Sequence, residues 1–213
     1  MIPGLDTYFT YETIWDQLLT IPKQFIVIGG GPIGCEIAQA MARFGSNVTI
    51  ITTSSTILPQ EDPDVSALMS NVFTTKYNIQ IVHGSVTKVD QVLPTAGGSA
   101  TTTTHVAHVS LFTTHTSSSS SKPSTTTTTV SGDAILVAIG RQPRFIPGYE
   151  NVGIELNEQR SAIKVNAQLQ TTIPNIYAAG DCTGDRQLYV VDFFYCCNIF
   201  YTFCHASYTQ PAT

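Results

Sequence analysis

Six consecutive residues, Gly29 to Gly34, restrict the fold of this 213-residue chain more than any other feature. They read GGGPIG, follow a short apolar run at Phe25 to Ile28, and open a stretch from Ile33 to Phe44 with apolar residues at helical spacing. Gly45 ends this predicted helix, and Val48 to Ile51 reads as a second strand. A strand, a glycine turn, a helix and a strand within about 30 residues predict a βαβ unit of a parallel sheet.

In this context the G-x-G-x-x-G pattern predicts a dinucleotide-binding turn. Gly29 permits the tight turn, Gly31 lets the backbone approach a pyrophosphate, and Gly34 lets the helix pack close to the strand. The predicted helix begins at Ile33, directly after Pro32, and its unpaired N–H groups and partial positive charge favour phosphate at these two residues. The alternative is a glycine turn that serves packing only.

The end of the second strand bears on the choice between NAD and NADP. An Asp or Glu there holds the ribose hydroxyls of NAD, but this sequence has Thr52 at that position and no acid between Ile37 and Gln60. The missing carboxylate favours NADP because a 2′-phosphate is not repelled, yet no Arg or Lys stands there to pair with the phosphate. The sequence leaves both cofactors open.

Charge and cysteine content exclude several classes of function. The chain has 10 Lys and Arg against 15 Asp and Glu, a net charge of −5 and no basic run, which argues against nucleic acid and anionic membranes as partners. Its five cysteines show no C-x-x-C spacing, which predicts neither a disulfide scaffold nor a zinc site and indicates a reducing intracellular compartment, cytoplasm or organelle. The first 15 residues show no signal-peptide pattern.

The low charged fraction, 12%, comes largely from Ser99 to Thr129, where 20 of 31 residues are Ser or Thr. Such a segment has little apolar surface to offset its ordering entropy, so residues 95–130 are predicted to be a mostly disordered surface insertion. The alternative is a Thr-rich β-ribbon over His105 to Thr113, where apolar residues recur. His105, His108 and His115 also lie in this region, but with no carboxylate nearby in sequence we predict no metal site.

The remaining pattern completes an α/β fold. A helix is predicted from Asp62-Pro63, because Asp caps a helix and Pro suits its first turn. Further strands are predicted at Ile79–Val82, Val86–Val92 and Ala134–Ile139. The predicted fold class is a Rossmann-like, doubly wound parallel sheet with a β-meander. The second helix is expected to bury Val65, Leu68, Met69 and Phe73.

Four separated stretches then carry a resemblance to a known family. They are residues 2–5 (IPGL), 26–39 (IVIGGGPIGCEIAQ), 133–143 (DAILVAIGRQP) and 171–181 (TTIPNIYAAGD). In this order they resemble the flavin-dependent pyridine nucleotide–disulfide oxidoreductases, which include dihydrolipoamide dehydrogenase, glutathione reductase and mercuric reductase. Four ordered motifs are far more specific than one glycine turn.

The resemblance implies a domain organisation that includes partial segments of an FAD domain. Residues 1–22 correspond to the linker from the FAD domain, and residues 23–145 to the NAD(P)-binding domain with the insertion at 95–130. Residues 146–188 return into the FAD domain, and residues 189–213 form an atypical tail.

The resemblance also implies FAD and NAD(P)H as cofactors and assigns roles to matching positions. Glu36 is placed near the junction of flavin and nicotinamide, although it is equally consistent with an ordinary acid in the first turns of a helix. Gly140 would line the nicotinamide cleft, and Asp181 would accept a hydrogen bond from FAD, with a plain loop aspartate as the alternative.

By this resemblance the chain is the NAD(P)H-binding portion of an enzyme that passes hydride from NAD(P)H to FAD and on to a disulfide or metal-ion acceptor. Members of this homodimeric family also have a redox cysteine pair, a first glycine turn for FAD and a dimerisation domain, and none of these is found in the sequence. We therefore expect a fragment that binds nucleotide without turnover. The alternatives are a non-catalytic nucleotide-binding protein and a thiol-independent NAD(P)H:acceptor reductase.

Overall fold

The computed structural model describes residues 2–92, 104–111, 126–140, 145, 147–159 and 161–184. The chain divides after Gly140 into two compact units, residues 1–140 and 141–213. The two units are described separately. The predicted tail at 189–213 lies outside the described residues.

The first unit is a mixed α/β structure built on a six-stranded sheet with the order β5-β4-β3-β2-β1-β6. Strands β3, β2, β1 and β6 run parallel, and β4 and β5 continue from β3 as an antiparallel meander. This confirms the predicted Rossmann-like sheet with a β-meander. In chain order the elements are α1 Ile14–Gln17, β1 Gln24–Ile28, α2 Pro32–Arg43, β2 Asn47–Thr52, α3 Pro63–Lys76, β3 Gln80–Val92, β4 Thr104–Leu111, β5 Thr127–Gly132 and β6 Ala134–Val137.

The parallel strands are apolar on both faces, and alternate residues enter two different cores. Phe25 and Val27 of β1 pack with the helices on one face, whereas Ile26 and Ile28 pack with residues of the meander on the other. This two-residue alternation is the ordinary pleat of a strand, and burial on both faces explains the continuous apolar run. The helices therefore cover one face of the parallel sheet, and the meander covers the opposite face.

Helix α3 begins where the sequence predicts, but it turns a different face inward. The side chain of Asp62 caps it by accepting a hydrogen bond from the N–H of Asp64 at 2.9 Å. The predicted burial of Val65 and Leu68 is wrong, since these side chains are 46% and 61% exposed. Phe73 is buried as predicted, and Ser66 is buried in place of Val65 because its hydroxyl donates to the carbonyl of Leu58 at 2.8 Å.

The Ser/Thr-rich segment is more ordered than predicted where the structure describes it. Residues 104–111 form β4 and residues 127–132 form β5, so a disordered insertion is wrong for these parts and the alternative β-ribbon is correct for 104–111. The reason is period-two burial: His105, Ala107 and Val109 face the second core. The rest of the segment lies outside the described residues.

Strand β3 runs without the predicted interruption between Val82 and Val86. It pairs with β2 as far as His83 and with β4 from Gly84 onward, so one strand serves both layers. A Cβ atom at Gly84 would lie 2.5 Å from the carbonyl oxygen of Ser110, which explains the glycine at the change of partner.

The N-terminal segment, predicted as a linker, packs against the first unit. The carbonyl of Pro3 accepts a hydrogen bond from the N–H of Val89 at 2.9 Å, and Phe9 pairs with Leu136 at the edge of β6. Leu5 is buried in the second core. Gly4 adopts φ +74°, and a side chain there would overlap the carbonyl of Val89.

The described part of the second unit consists of turns, bridges and short 3-10 helices. Tyr149–Val152 and Asp181–Thr183 are 3-10 helices, and Leu156 bridges Ile163. Gly184 approaches Ala162, whose Cβ would lie 2.5 Å from a Cβ at Gly184. Among all residues described in both units, no helix has the length and apolar character needed to span a membrane.

His105 gives the first unit a predicted pH dependence. Its side chain is 7% exposed, and its Nδ1 atom has no hydrogen-bond partner in the part of the chain that the structure describes. Burial lowers the pKa of His105, although the negative charge of Asp133 opposes this. The stabilisation is therefore fully present above the unfolded value of about 6.5 and is lost as the pH falls through the lower folded value.

We expect His105→Leu to remove this dependence. The thermal midpoint of the wild-type chain should fall between roughly pH 7.5 and pH 5, and the fall should be smaller in the variant, because leucine cannot take up a proton. Thermal unfolding followed by circular dichroism measures both. An equal fall in the two proteins would contradict the role given to His105.

Candidate dinucleotide-binding site

The glycine turn lies at the carboxyl edge of the parallel sheet, where β1, β2 and β6 end together. Ile28, the last residue of β1, pairs with Ile51 and Val137 on its two neighbours. The N–H of Gly29 donates to the carbonyl of Ile51 at 2.8 Å, and the N–H of Ala138 donates to the carbonyl of Ile28 at 2.8 Å. The turn is thus anchored from both sides, at the edge where open α/β sheets bind ligands.

The three motif glycines have three different surroundings. Gly29 adopts φ +118°, and a Cβ atom there would overlap the carbonyl oxygen of Ala138. A Cβ atom at Gly34 would overlap the carbonyl oxygen of Gly29 and lie 3.3 Å from Val27 Cγ1. At Gly31, in contrast, no atom of the described residues lies within 4 Å of the Cβ position. Two glycines thus allow close packing, and the third leaves space at the surface of the turn.

Helix α2 begins directly over this space. Gly31 is its N-cap, Pro32 is its first residue, and the first described bond inside the helix runs from the N–H of Cys35 to the carbonyl of Gly31 at 3.0 Å. The N–H groups of Ile33 and Gly34 therefore have no acceptor within the helix. Together with the helix dipole they form the kind of end that favours phosphate.

The loop after β2 is fastened to the turn through Gly30, which sequence reasoning did not identify. The N–H of Leu58 donates to the carbonyl of Gly30 at 2.7 Å, with Leu58 in a left-handed conformation at φ +51°. A Cβ atom at Gly30 would lie 2.9 Å from Thr52 Oγ1 and 3.3 Å from Ile57 Cγ2. The buried hydroxyl of Ser66 holds Leu58 from the other side. A bulky residue with positive φ is rare, and no sequence signal indicated one here.

Thr52 lies at the predicted position, as the last residue of β2, but its side chain turns inward. It is 4% exposed and packs beside Gly30, and its Oγ1 accepts a hydrogen bond from the N–H of Ser54 at 3.3 Å. The exposed groups at the end of β2 are therefore those of the residues that follow it.

His83 lies beside Thr52 on the neighbouring strand, paired with it in the parallel ladder. Its exposed side chain places Nδ1 3.0 Å from the carbonyl oxygen of Ser54. Because a carbonyl only accepts, Nδ1 is the donor and Nε2 is left available. Sequence reasoning missed His83, because only the strand register brings it to this edge.

Glu36 lies on α2 with an exposed side chain, at a pocket of about 200 Å³ between α2 and α3. Cys35, Leu58 and Phe73 also line this pocket. Burial raises the pKa of the Cys35 thiol to about 12, with a further contribution from the negative charge of Glu36. Cys35 is therefore a protonated, unreactive thiol at neutral pH.

The other two predicted site residues lie farther along the chain. Gly140 follows β6 by three residues and adopts φ +151°, and within the described ranges no atom lies within 4 Å of its Cβ position. Asp181 belongs to the second unit, where it begins a 3-10 helix after Gly180, which has φ +83° and ψ −159°. The roles of Gly140 and Asp181 toward cofactors stay predictions.

One histidine of the meander, His108, lies beside an acidic side chain, that of Asp90. His108 Nε2 lies 2.9 Å from Asp90, and Lys88 Nζ lies 2.6 Å from the same carboxylate. Hydrogen bonds from Lys88 and then His108 hold the pKa of Asp90 below its ordinary value. In the described ranges no three or more His, Cys, Asp or Glu side chains are placed to hold a metal ion, and His115 lies outside those ranges.

A glycine turn between a strand and a helix, at the carboxyl edge of a parallel sheet, defines the class of dinucleotide-binding α/β domains. The chain belongs to the pyridine nucleotide-disulphide oxidoreductase family, which it matches over residues 2–193. The resemblance read from the four motifs is thereby confirmed.

Relatives with assigned names come from the same family. The chain is 34% identical over 175 residues to a dihydrolipoyl dehydrogenase of Bacillus subtilis, covering 81% of this chain and 32% of the relative. It is also 34% identical over 193 residues to the probable pyridine nucleotide-disulfide oxidoreductase RclA of Escherichia coli, covering 88% of this chain and 38% of the relative. The chain thus spans about a third of the length of these relatives.

Solved structures agree with this assignment. The flavoprotein disulfide reductase RclA of Escherichia coli, described as HOCl-induced, matches with a TM-score of 0.66 and 30% identity over 91% of this chain and 39% of that chain. A Cu(II) complex of a mutant of the same protein gives a TM-score of 0.72 and 28% identity over 95% of this chain and 41% of that chain. LpdA of Mycobacterium tuberculosis gives 0.68 and 26% identity, over 92% of this chain and 38% of that chain.

The different surroundings of Gly34 and Gly31 predict opposite effects of one added methyl group on folding. Gly34→Ala should lower the free energy of unfolding by about 2 kcal/mol or more, because the methyl group overlaps backbone that cannot yield. Gly31→Ala should cost less than about 1 kcal/mol, the penalty for alanine at an N-cap. Urea denaturation of both variants measures the difference, and equal losses would show that the turn is packed differently.

Proposed function

We propose that the first unit of this chain binds NAD(P)H and serves as the nucleotide-binding portion of a flavin-dependent oxidoreductase. The observation that carries the proposal is the open space at Gly31 beneath the start of α2, because a pyrophosphate requires both close backbone approach and N–H donors without partners. Family membership supports it independently.

The residues of the turn then divide the work of holding the nucleotide. Gly31 admits the pyrophosphate, and the N–H groups of Ile33 and Gly34 donate to its oxygens. The adenosine half extends toward Thr52 at the end of β2, and the nicotinamide half toward Gly140 after β6. The chain's own contribution is binding and orientation, since the hydride chemistry is that of the cofactors when bound.

The second unit would contribute to the flavin side. We place Asp181 as a hydrogen-bond partner of FAD on the basis of the motif in which it stands, and Glu36 beside the junction of flavin and nicotinamide. The exposed position of Glu36, one turn into α2, is compatible with this role. The acceptor that follows FAD would be a disulfide or a metal ion, and the description of RclA of Escherichia coli as a flavoprotein disulfide reductase supports the disulfide.

The binding of nucleotide is the part of the proposal that this chain tests directly. Isothermal titration calorimetry with NADH and NADPH should show one site per chain, and Gly31→Ala should weaken that binding about tenfold, because its methyl group occupies the space of the pyrophosphate. The absence of binding to either nucleotide by a folded chain would overturn the proposal.

Gly45→Ala is the matched control, since it adds a methyl group beyond the other end of α2. Gly45 adopts φ +97° with no atom within 4 Å of its Cβ position, so the variant should lose about 1 kcal/mol of stability through backbone strain. Its affinity for nucleotide should equal that of the wild-type chain. A comparable loss of affinity in both variants would show that binding follows stability and not the space at Gly31.

A further inference from the structure

We infer that His83 reads the 2′-position of the adenosine ribose and makes the site select NADPH over NADH. The inference rests on the proposed nucleotide site and concerns its choice of cofactor. What carries it is the juxtaposition of His83 with the end of β2, where the sequence alone leaves the cofactor undecided.

Four contacts place the imidazole at this position. Thr52 and His83 are paired in the ladder between β2 and β3, and Thr52 in turn packs against Gly30 of the glycine turn. Ser54 is held twice, by Thr52 Oγ1 at its N–H and by His83 Nδ1 at its carbonyl. The exposed ring of His83 therefore stands next to the ribose end of the nucleotide site, and its orientation is fixed by the bond to Ser54.

The hydrogen bond to Ser54 uses Nδ1 and leaves Nε2 for a ligand. A phosphate next to an imidazole favours the charged form of the ring, in which Nε2 carries a proton and donates a charge-assisted hydrogen bond. A ribose hydroxyl in the same place carries no charge and has no such charge pairing with the ring. The phosphate of NADPH therefore gains more from His83 than the hydroxyl of NADH does.

The residues that directly follow β2 carry no negative charge that would repel a phosphate. Arg43 is the only charged residue between Ile37 and Gln60, so no carboxylate directly follows β2 to repel the 2′-phosphate, and Glu61 and Asp62 come only at the far end of the loop, before α3. Arg43 ends α2 and is thus at the opposite end of the helix from the turn. The exposed side chains of Thr53 and Ser55 add hydroxyl donors but no charge. His83, which is paired with Thr52 in the strand ladder, is therefore the group that supplies the positive charge.

The test separates the effect of the positive charge of His83 on nucleotide affinity from the effect of its hydrogen bond to Ser54. The 213-residue chain is titrated with NADPH and NADH, and also with adenosine 2′,5′-bisphosphate and ADP as probes of the ribose end. His83→Gln keeps a hydrogen-bonding side chain without the charge, whereas His83→Lys keeps a positive charge. Thermal unfolding of each variant verifies that it is folded.

The wild-type chain should prefer NADPH, His83→Gln should weaken NADPH about tenfold while changing NADH less than about twofold, and His83→Lys should retain the preference. Equal affinity of the wild-type chain for the two nucleotides, or an unchanged preference in His83→Gln, would overturn the role of His83 and leave the nucleotide site intact. Binding of neither nucleotide would overturn the proposed function itself.

Discussion

The close approach of α2 to the end of β1 is the constraint on which the rest of the site depends. It exists only because Gly34 has no side chain to meet the carbonyl of Gly29 and the side chain of Val27. With the helix held this near, its free N–H groups lie over the turn at Gly31. The carboxyl ends of β2 and β6 lie beside the same turn. The close contact at Gly34 therefore positions the parts of the candidate site that come from three strands.

The second core gives this arrangement a firm base. The meander β3-β4-β5 packs its buried residues against the face of the parallel sheet opposite the helices, with Ile26 and Ile135 on one side and Ala107 and Val109 on the other. At Gly132 a Cβ atom would lie 2.8 Å from Ile26 Cγ1, so β5 approaches β1 as closely as its glycine allows. A chain with little charge in this region can still order, because alternate residues of the strands are apolar or buried.

The parts of the fold that sequence predicts are those with strong local signals. The helix predicted from Ile33 to Phe44 agrees with α2 within a residue at each end, and the continuous apolar runs at Phe25 to Ile28 and Val48 to Ile51 agree with β1 and β2. The meander was harder to predict, because threonines and serines occupy the outward positions of β5 and half of those of β4 and weaken the composition signal. Its order comes from pairing with β3, which no local pattern contains.

The site shows the same division. The motif glycines can be predicted because their spacing is contained in six residues of sequence, although the carbonyl of Ala138 that excludes a side chain at Gly29 is distant in the chain. The inward rotation of Thr52, the left-handed Leu58 and the placement of His83 depend on tertiary contacts. For α3 the bond between Ser66 and Leu58 selects the buried face over the more apolar face that contains Val65 and Leu68. The buried face of a helix and the direction of these side chains follow from packing and strand register. The spacing of apolar residues along a helix does not predict them.

The most direct test of the central claim is the response of individual backbone amides to nucleotide. In ¹H–¹⁵N correlation spectra of the 213-residue chain, titration with NADPH should shift the amide signals of Gly31, Ile33 and Gly34 most strongly, because their N–H groups meet the pyrophosphate. Signals of the meander, such as Val109, should move little. Saturable shifts centred elsewhere, with the three turn amides unchanged, would contradict the account.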